Sequence, residues 1–182
     1  MTKKKAQPEG VKAFVIDRSK WLNGTIIDRY SDAADDTALR TEYDTSIDDV
    51  GDSVKPESGS LLHEFSGRMC CLGFYTLACG VPVKHLAGRD LPSSLPPSIV
   101  KKFLPEFLVY ARYPAGNVPG ASDVADALAS ANDGEARPKE REAKITKLFA
   151  DVGVTVTFTG KYPTVAQLRT ELKTALKEID HV

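Results

Sequence analysis

The sequence predicts an α+β fold in which a small mixed or antiparallel sheet packs around a buried central helix, with amphipathic helices outside. The stretch from Met69 to Cys79 is apolar on every side, which is typical of a helix buried on all faces. Val154, Val156 and Phe158 alternate with threonines, the pattern of a half-buried strand. The end of the chain repeats apolar residues at helical spacing and therefore predicts an outer helix.

The chain is 182 residues long, which suits one domain with enough residues to bury a core. We predict a mobile tail over 1–10, a single α+β domain over 11–160 and an amphipathic C-terminal helix over 161–182. Three cysteines, two of them adjacent, cannot form a disulfide framework and are typical of a reducing compartment. Because the start of the chain is charged and carries no apolar run, we expect a cytoplasmic protein.

The charge balance argues against a nucleic-acid partner. The formal net charge is −1, whereas binding to a phosphate backbone needs a basic surface. The apolar run Met69–Cys79 is far shorter than the roughly 20 residues that cross a bilayer. No membrane partner is therefore expected.

The first strand is predicted at Lys12–Ile16, a short apolar run bounded by polar residues. The segment that follows allows two interpretations. Ser19 can cap a helical turn, or Asn23 and Gly24 can form a hairpin turn with Thr25–Ile27 as the returning strand.

The acidic segment between Asp28 and Asp52 holds too few apolar residues to offset the entropy cost of ordering. We predict a mobile loop over about 30–58, with a short helix near Ala33–Leu39. Its carboxylates lack the spacing of an EF-hand loop, and neither a metal nor a cofactor is predicted. Leu61–Phe65 then suits a strand that leads into the central helix.

The central helix carries a stop signal and a packing signal. Gly80 can adopt the left-handed conformation that ends helices, and Pro82 cannot continue one. Gly73 costs roughly 1 kcal/mol relative to alanine within a helix, so we expect another backbone to approach it closely. The proline-rich stretch that follows leaves room for a short helix at Ser98–Leu104. Phe107–Tyr113 is predicted as a strand or as a second buried element, with the strand favoured.

Two helices and a strand come next. Ser122 opens a helix that the Asn-Asp-Gly turn at 132–134 ends. The second helix is predicted over Pro138–Val152, where apolar residues fall on one stripe. The Val154–Thr159 strand follows it.

The last helix begins with a capping box, Thr164 with Gln167. Its apolar stripe must be covered, either by the rest of the domain or by a second copy of the chain. Packing within the chain is favoured. A homo-oligomer would use the stripe residues Val165, Leu168, Leu172, Leu176 and Ile179.

The chain contains, in order, the stretches DRSKW, MCCLGFYTLACGVP, LPEFLVY, ANDG and EREAKITKLFADVGVTVTF. This CCLGF…ND…KLF-x-x-x-G-V-x-V-x-F pattern resembles a group of uncharacterised proteins from tailed phages and prophages. The resemblance covers 13–24, 61–82 and 125–158, and the acidic insertion at 33–60 and the helix after Gly160 depart from it. It implies a phage accessory protein in the host cell cytoplasm and brings no established activity.

Cys70 and Cys71 are the candidates for a catalytic nucleophile, because a thiolate near a helix start has a depressed pKa. The alternative is a pair of buried structural cysteines. The lack of a local Cys-His signature favours this alternative.

A polar ligand can be held where Asn132 and Asp133 end their helix, although the same residues also suit an ordinary helix-ending turn. Trp21 is either a core anchor or a ring that stacks on the ligand. Cations on the next helix would neutralise a phosphate, and aromatic rings would stack a base. The predicted ligand-binding residues are Trp21, Tyr75, Asn132, Asp133, Arg137 and Arg141.

The leading hypothesis is a non-enzymatic binding protein of phage origin. Its expected partner is a small nucleotide signal or a host protein, and the resemblance suggests interference with host defence. One alternative is a cysteine-dependent enzyme using Cys70 or Cys71. The other is a self-associating protein joined through its C-terminal helix, and whether the chain is an enzyme is left open.

Overall fold

The computed structural model of the chain describes residues 8–34, 60–109, 121–134 and 137–179. Within these ranges it contains helices and a small sheet, so the α+β class is confirmed. None of the helices in the described ranges combines the length and apolar character needed to span a membrane. The strands are β1 (Ala13–Asp17) and β2 (Thr155–Thr159); the α-helices are α1 (Gly24–Ala34), α2 (Cys71–Ala78), α3 (Pro97–Phe103), α4 (Glu106–Val109), α5 (Ala121–Asp133), α6 (Pro138–Asp151) and α7 (Val165–Ile179).

The two strands pair in parallel, from Ala13 opposite Thr155 to Asp17 opposite Thr159. The mixed or antiparallel sheet predicted from the sequence is not what the described strands form. Parallel strands need a long crossover connection, and the chain between β1 and β2 provides one. Helix α2 packs on β1 and helix α6 packs on β2.

Helix α2 lies in the core, as the apolar run predicted. Leu72 and Tyr75 are fully buried, and Cys70 caps the helix by accepting a hydrogen bond from the Gly73 amide at 3.4 Å. Gly80 has a φ of +89°, which confirms the predicted helix stop.

Gly73 lies against a neighbouring backbone, as its position in mid-helix predicted. A Cβ atom at this position would collide with the carbonyl oxygen of Leu61 and would lie 3.1 Å from the Cβ of Met69. The Leu61 amide in turn donates to the carbonyl of Arg89 at 2.6 Å. The Leu61 backbone is therefore fixed by a hydrogen bond at its amide, while its carbonyl lies against Gly73.

The hairpin interpretation for Thr25–Ile27 is wrong, because α1 begins at Gly24. Asn23 acts as the helix cap, since its Oδ1 accepts a hydrogen bond from the Ile26 amide at 3.3 Å. The Ser19 helical turn is also not formed. Trp21 instead makes an isolated bridge with Met69.

Two further strand predictions differ from the structure. Leu61–Phe65 contributes a single bridge, Leu62 to Ala87, followed by a turn. Of Phe107–Tyr113, the described part is helical because α4 packs along α5. The rest of that segment, most of the predicted acidic loop and most of the predicted N-terminal tail lie outside the described residues.

The capping box of the last helix is confirmed. The Thr164 amide donates to Gln167 Oε1 at 2.8 Å, and the Gln167 amide donates to Thr164 Oγ1 at 3.3 Å. Leu168 and Leu172 are buried in a small cluster with Leu22 and Ile26. This part of the stripe is covered within the chain, whereas the side chains of the predicted contacts Leu176 and Ile179 lie outside the described residues.

We expect Gly73→Ala to lower the free energy of unfolding by about 1–3 kcal/mol, because the new methyl group displaces the Leu61 backbone. Urea denaturation measures the change. Ala143→Gly on the exposed face of α6 is the control, with an expected loss of about 1 kcal/mol from helix propensity alone. Stabilisation by Gly73→Ala, the direction that propensity alone predicts, would contradict the close approach.

Candidate functional site

The side-chain amide of Asn132 forms a buried junction at the end of α5. Its Oδ1 accepts hydrogen bonds from the Trp21 indole at 2.7 Å and from the Cys71 amide at 3.0 Å. Its Nδ2 donates to the Leu22 carbonyl at 2.9 Å and to Asp133 Oδ1 at 2.8 Å. An amide oxygen accepts two hydrogen bonds and an amide nitrogen donates two, so the group uses its full capacity.

The Trp21 ring is enclosed by the core. It is fully buried and lies 5.1 Å from the Phe158 ring and 6.0 Å from the Tyr162 ring, measured between centroids. Its only polar atom donates to Asn132. These contacts fit a core anchor, and stacking on a ligand would require the core to open.

Arg141 joins the start of α1 to the end of α5. Its Nη1 donates to Asn23 Oδ1 at 3.2 Å and to Thr25 Oγ1 at 2.6 Å, and its Nη2 donates to the Gly134 carbonyl. Burial lowers the pKa of Arg141 from its ordinary value. The guanidinium nevertheless keeps its charge, because arginine titrates far above neutral pH.

Tyr75 and Arg137 lie apart from this cluster. The Tyr75 ring packs edge-on against Phe14 at 5.1 Å, and its hydroxyl donates to the Val11 carbonyl at 3.1 Å. Arg137 is exposed at the start of α6. The structure therefore brings together Trp21, Asn132, Asp133 and Arg141, but not the other two predicted ligand residues.

The two adjacent cysteines lie at the start of α2 with their thiols buried. Burial raises the pKa of Cys70 to about 12 and raises that of Cys71 well above its ordinary value. Cys71 Sγ lies 3.7 Å from the Leu128 carbonyl, to which it donates. Thiols in this state are protonated at neutral pH and are poor nucleophiles.

An open groove of about 890 Å³ lies beside the buried cluster. Its described lining includes the cationic side chains Lys20, Arg68 and Lys161 and the carboxylate of Glu171. We call this cavity the Arg68 groove. It is lined by Ser19, Lys20, Arg68, Lys161, Tyr162, Pro163, Thr164, Ala166, Gln167, Thr170 and Glu171.

Arg68 has the most constrained charge in this groove. Only 1% of its side chain is exposed, and its Nη1 donates to the Ser19 carbonyl at 2.7 Å. Its Nη2 and Nε face Glu171, at 2.8 Å to Oε1 and 3.2 Å to Oε2. The Glu171 side chain is 37% exposed.

Sequence reasoning missed the Arg68 groove because its cations are far apart along the chain. Each one alone has the character of a solvated charge. The available signal was Arg68 itself, a cation placed directly before an all-apolar helix. Such a charge is buried when the helix packs into the core, and a buried charge needs an anionic partner.

In the part of the chain that the structure describes, no group of three or more His, Cys, Asp or Glu side chains is placed to hold a metal ion. No protein-family model, curated protein or solved structure matches the chain.

We expect Asn132→Ala to lower the free energy of unfolding by about 3 kcal/mol or more, because it leaves two buried donors and a buried carbonyl unpaired. Chemical denaturation followed by far-UV circular dichroism measures the loss. Asp126→Ala, at an exposed position of the same helix, is the control. Equal stabilities of the two variants would contradict the claim that the hydrogen bonds of Asn132 stabilise the fold.

We expect Cys70 and Cys71 to resist iodoacetamide at neutral pH in the folded protein and to react fully in denaturant, because their thiols are buried. Peptide mass spectrometry after timed labelling locates the modified residues. Cys79, which is only partly buried, is the internal comparison. Rapid labelling of Cys70 or Cys71 in the folded protein would instead favour the cysteine-dependent enzyme.

Proposed function

We propose that this chain is a non-enzymatic binding protein that holds a small nucleotide by its phosphate groups in the Arg68 groove. The observation that carries the proposal is a buried guanidinium, Arg68, at an open groove that two exposed lysines also line. The predicted class of ligand is retained. The proposed binding site is the Arg68 groove and not the Asn132 cluster that the sequence predicted.

The charge of the groove suits a phosphorylated ligand. Among the described lining residues, three side chains are cationic and one, Glu171, is anionic, so this part of the lining has an excess of positive charge. Phosphate carries up to two negative charges and offers several acceptor oxygens. Guanidinium groups bind such oxygens in pairs, and lysines add point charges around them.

Helix α7 adds to this field. It begins beside the groove, where Ala166 and Gln167 belong to its first turn and line the cavity. The Gln167 amide already donates to Thr164 Oγ1, but the amino-terminal end of the helix still carries partial positive charge, which favours anions. The Thr164 cap fixes the direction of this first turn.

The groove is also of a suitable size and carries an aromatic surface. Its volume of about 890 Å³ lies within the range of small-molecule sites, roughly 300–1,000 Å³. Tyr162 lines it and is partly exposed. A nucleotide base can stack on this ring while its phosphates face the cations.

Binding without turnover fits the chemistry of the lining better than catalysis. Among the described lining residues there is neither a histidine nor a cysteine, and the one carboxylate is engaged by Arg68. The candidate nucleophiles Cys70 and Cys71 are buried and protonated.

The phage resemblance supplies the biological setting of the proposal. A phage protein that binds a nucleotide signal without consuming it would lower the free concentration of that signal in the host cytoplasm. Such sequestration would counter a host defence that depends on the signal. A host protein as the partner is the outcome to pursue if no nucleotide binds.

We expect one or more members of a panel of mono-, di-, tri- and cyclic nucleotides to raise the unfolding temperature of the full chain. A ligand at 100 times its dissociation constant adds about 2.7 kcal/mol to stability. Lys20→Ala/Lys161→Ala should weaken that ligand on the order of tenfold, because two exposed groove charges are removed. Isothermal titration calorimetry at two salt concentrations measures the affinities.

The control is Lys139→Ala/Lys144→Ala, which removes the same charge from the exposed face of α6. We expect it to bind as the unchanged chain does. Equal losses in both double variants would indicate a general charge effect rather than a groove. A panel without any stabilising nucleotide would contradict the proposal.

A further inference from the structure

We propose that Glu171 occupies the position of the ligand phosphate on Arg68 and leaves it when a phosphate binds. The proposal rests on the function proposed above, since it concerns the same groove. It makes Glu171 an internal competitor of the ligand. It also makes Arg68 the residue that recognises the phosphate.

The Arg68–Glu171 pair has the geometry of a carboxylate in an anion site. Both carboxylate oxygens face the guanidinium, with Nη2 at 2.8 Å from Oε1 and 3.0 Å from Oε2. Nε adds a contact of 3.2 Å to Oε2. A phosphate presents two oxygens to a guanidinium in the same manner.

The two partners differ in how freely they can move. Arg68 is buried and is held by the Ser19 carbonyl at 2.7 Å, and its own carbonyl accepts from the His63 amide at 2.8 Å. Glu171 reaches the pair from the surface of α7 with more than a third of its side chain exposed. Its carboxylate can therefore turn into water, whereas the guanidinium stays in place.

The exchange is favourable only for a ligand that replaces the negative charge and the hydrogen bonds that Glu171 provides to Arg68. The departure of Glu171 removes an anionic partner from a buried guanidinium, which is costly, so another anion has to take its place. A phosphate dianion brings more charge than a carboxylate, and Lys20 and Lys161 lie in the same groove to receive it. The groove should therefore prefer phosphates to singly charged carboxylates.

The test is calorimetry of the full chain with ADP and with inorganic pyrophosphate as probes. Glu171→Gln removes the competing charge but keeps the size of the side chain. We expect it to bind both probes on the order of tenfold more tightly, since hydrogen bonds to charged groups are about twice as strong as neutral ones. Asp151→Asn, which breaks the exposed Lys147–Asp151 pair on α6, should leave both affinities unchanged.

The outcomes separate this inference from the proposed function. If Glu171→Gln binds no more tightly than the unchanged chain while Lys20→Ala/Lys161→Ala still weakens binding, the exchange is wrong and the groove stands. If neither probe nor any nucleotide of the panel binds any variant, both proposals fail.

A measurement on the unchanged chain keeps the test decisive if Glu171→Gln does not fold. The side-chain carboxyl ¹³C resonance of Glu171 should move toward its solvent-exposed value as ADP is added. The Glu142 carboxylate, paired with Arg18 at 2.7 Å, should not move and serves as the reference. A Glu171 resonance that stays fixed at saturation would overturn the exchange.

Discussion

The hydrogen bonds of the Asn132 amide hold together the three segments on which the rest of the structure depends. They fix the Trp21 indole, the start of α2 and the end of α5 around one buried group. Beside this junction, the Leu22 amide donates to the Met69 carbonyl at 2.8 Å and the Met69 amide donates to the Lys20 carbonyl at 3.0 Å. The groove residues Lys20 and Arg68 lie directly next to these bonded positions.

A polar group at the centre of an apolar core stabilises the fold only when all of its hydrogen bonds are made. Asn132 meets this condition, and Arg141 joins α1, α5 and α6 through a similar set of buried contacts. In the sequence these residues resemble a ligand site because their side chains are polar. The fold does bring them together, but in its interior. Their hydrogen bonds within the core give them a structural role, while Lys20 and Lys161 present charge to solvent in the groove beside them.

Local features of the sequence predicted the elements that local physics determines. The apolar run gave the central helix, Gly73 gave the close backbone contact and Thr164 with Gln167 gave the last helix cap. Asn23 and Gly24 predicted a hairpin turn, but the structure has the start of α1 there, and α1 packs against α7. The parallel pairing of β1 with β2 could not be predicted from the sequence, because it depends on how the long crossover between the two strands folds. The groove could not be predicted from the sequence for the same reason, because Lys20, Arg68 and Lys161 are far apart in the chain and come close together only in the fold.

We propose a structural role for the Asn132 cluster and a ligand site in the Arg68 groove. The most direct test is a ¹H–¹⁵N correlation spectrum of the full chain, titrated with the nucleotide that stabilises it most. Trp21 is the only tryptophan, so its indole gives one unambiguous signal. We expect the signals of the Arg68 Nε–H and of the Ala166 and Gln167 amides to shift with the ligand, while those of the Trp21 indole and the Asn132 side-chain amide stay fixed. Large shifts of the Trp21 indole and the Asn132 amide, with the groove signals unmoved, would contradict it.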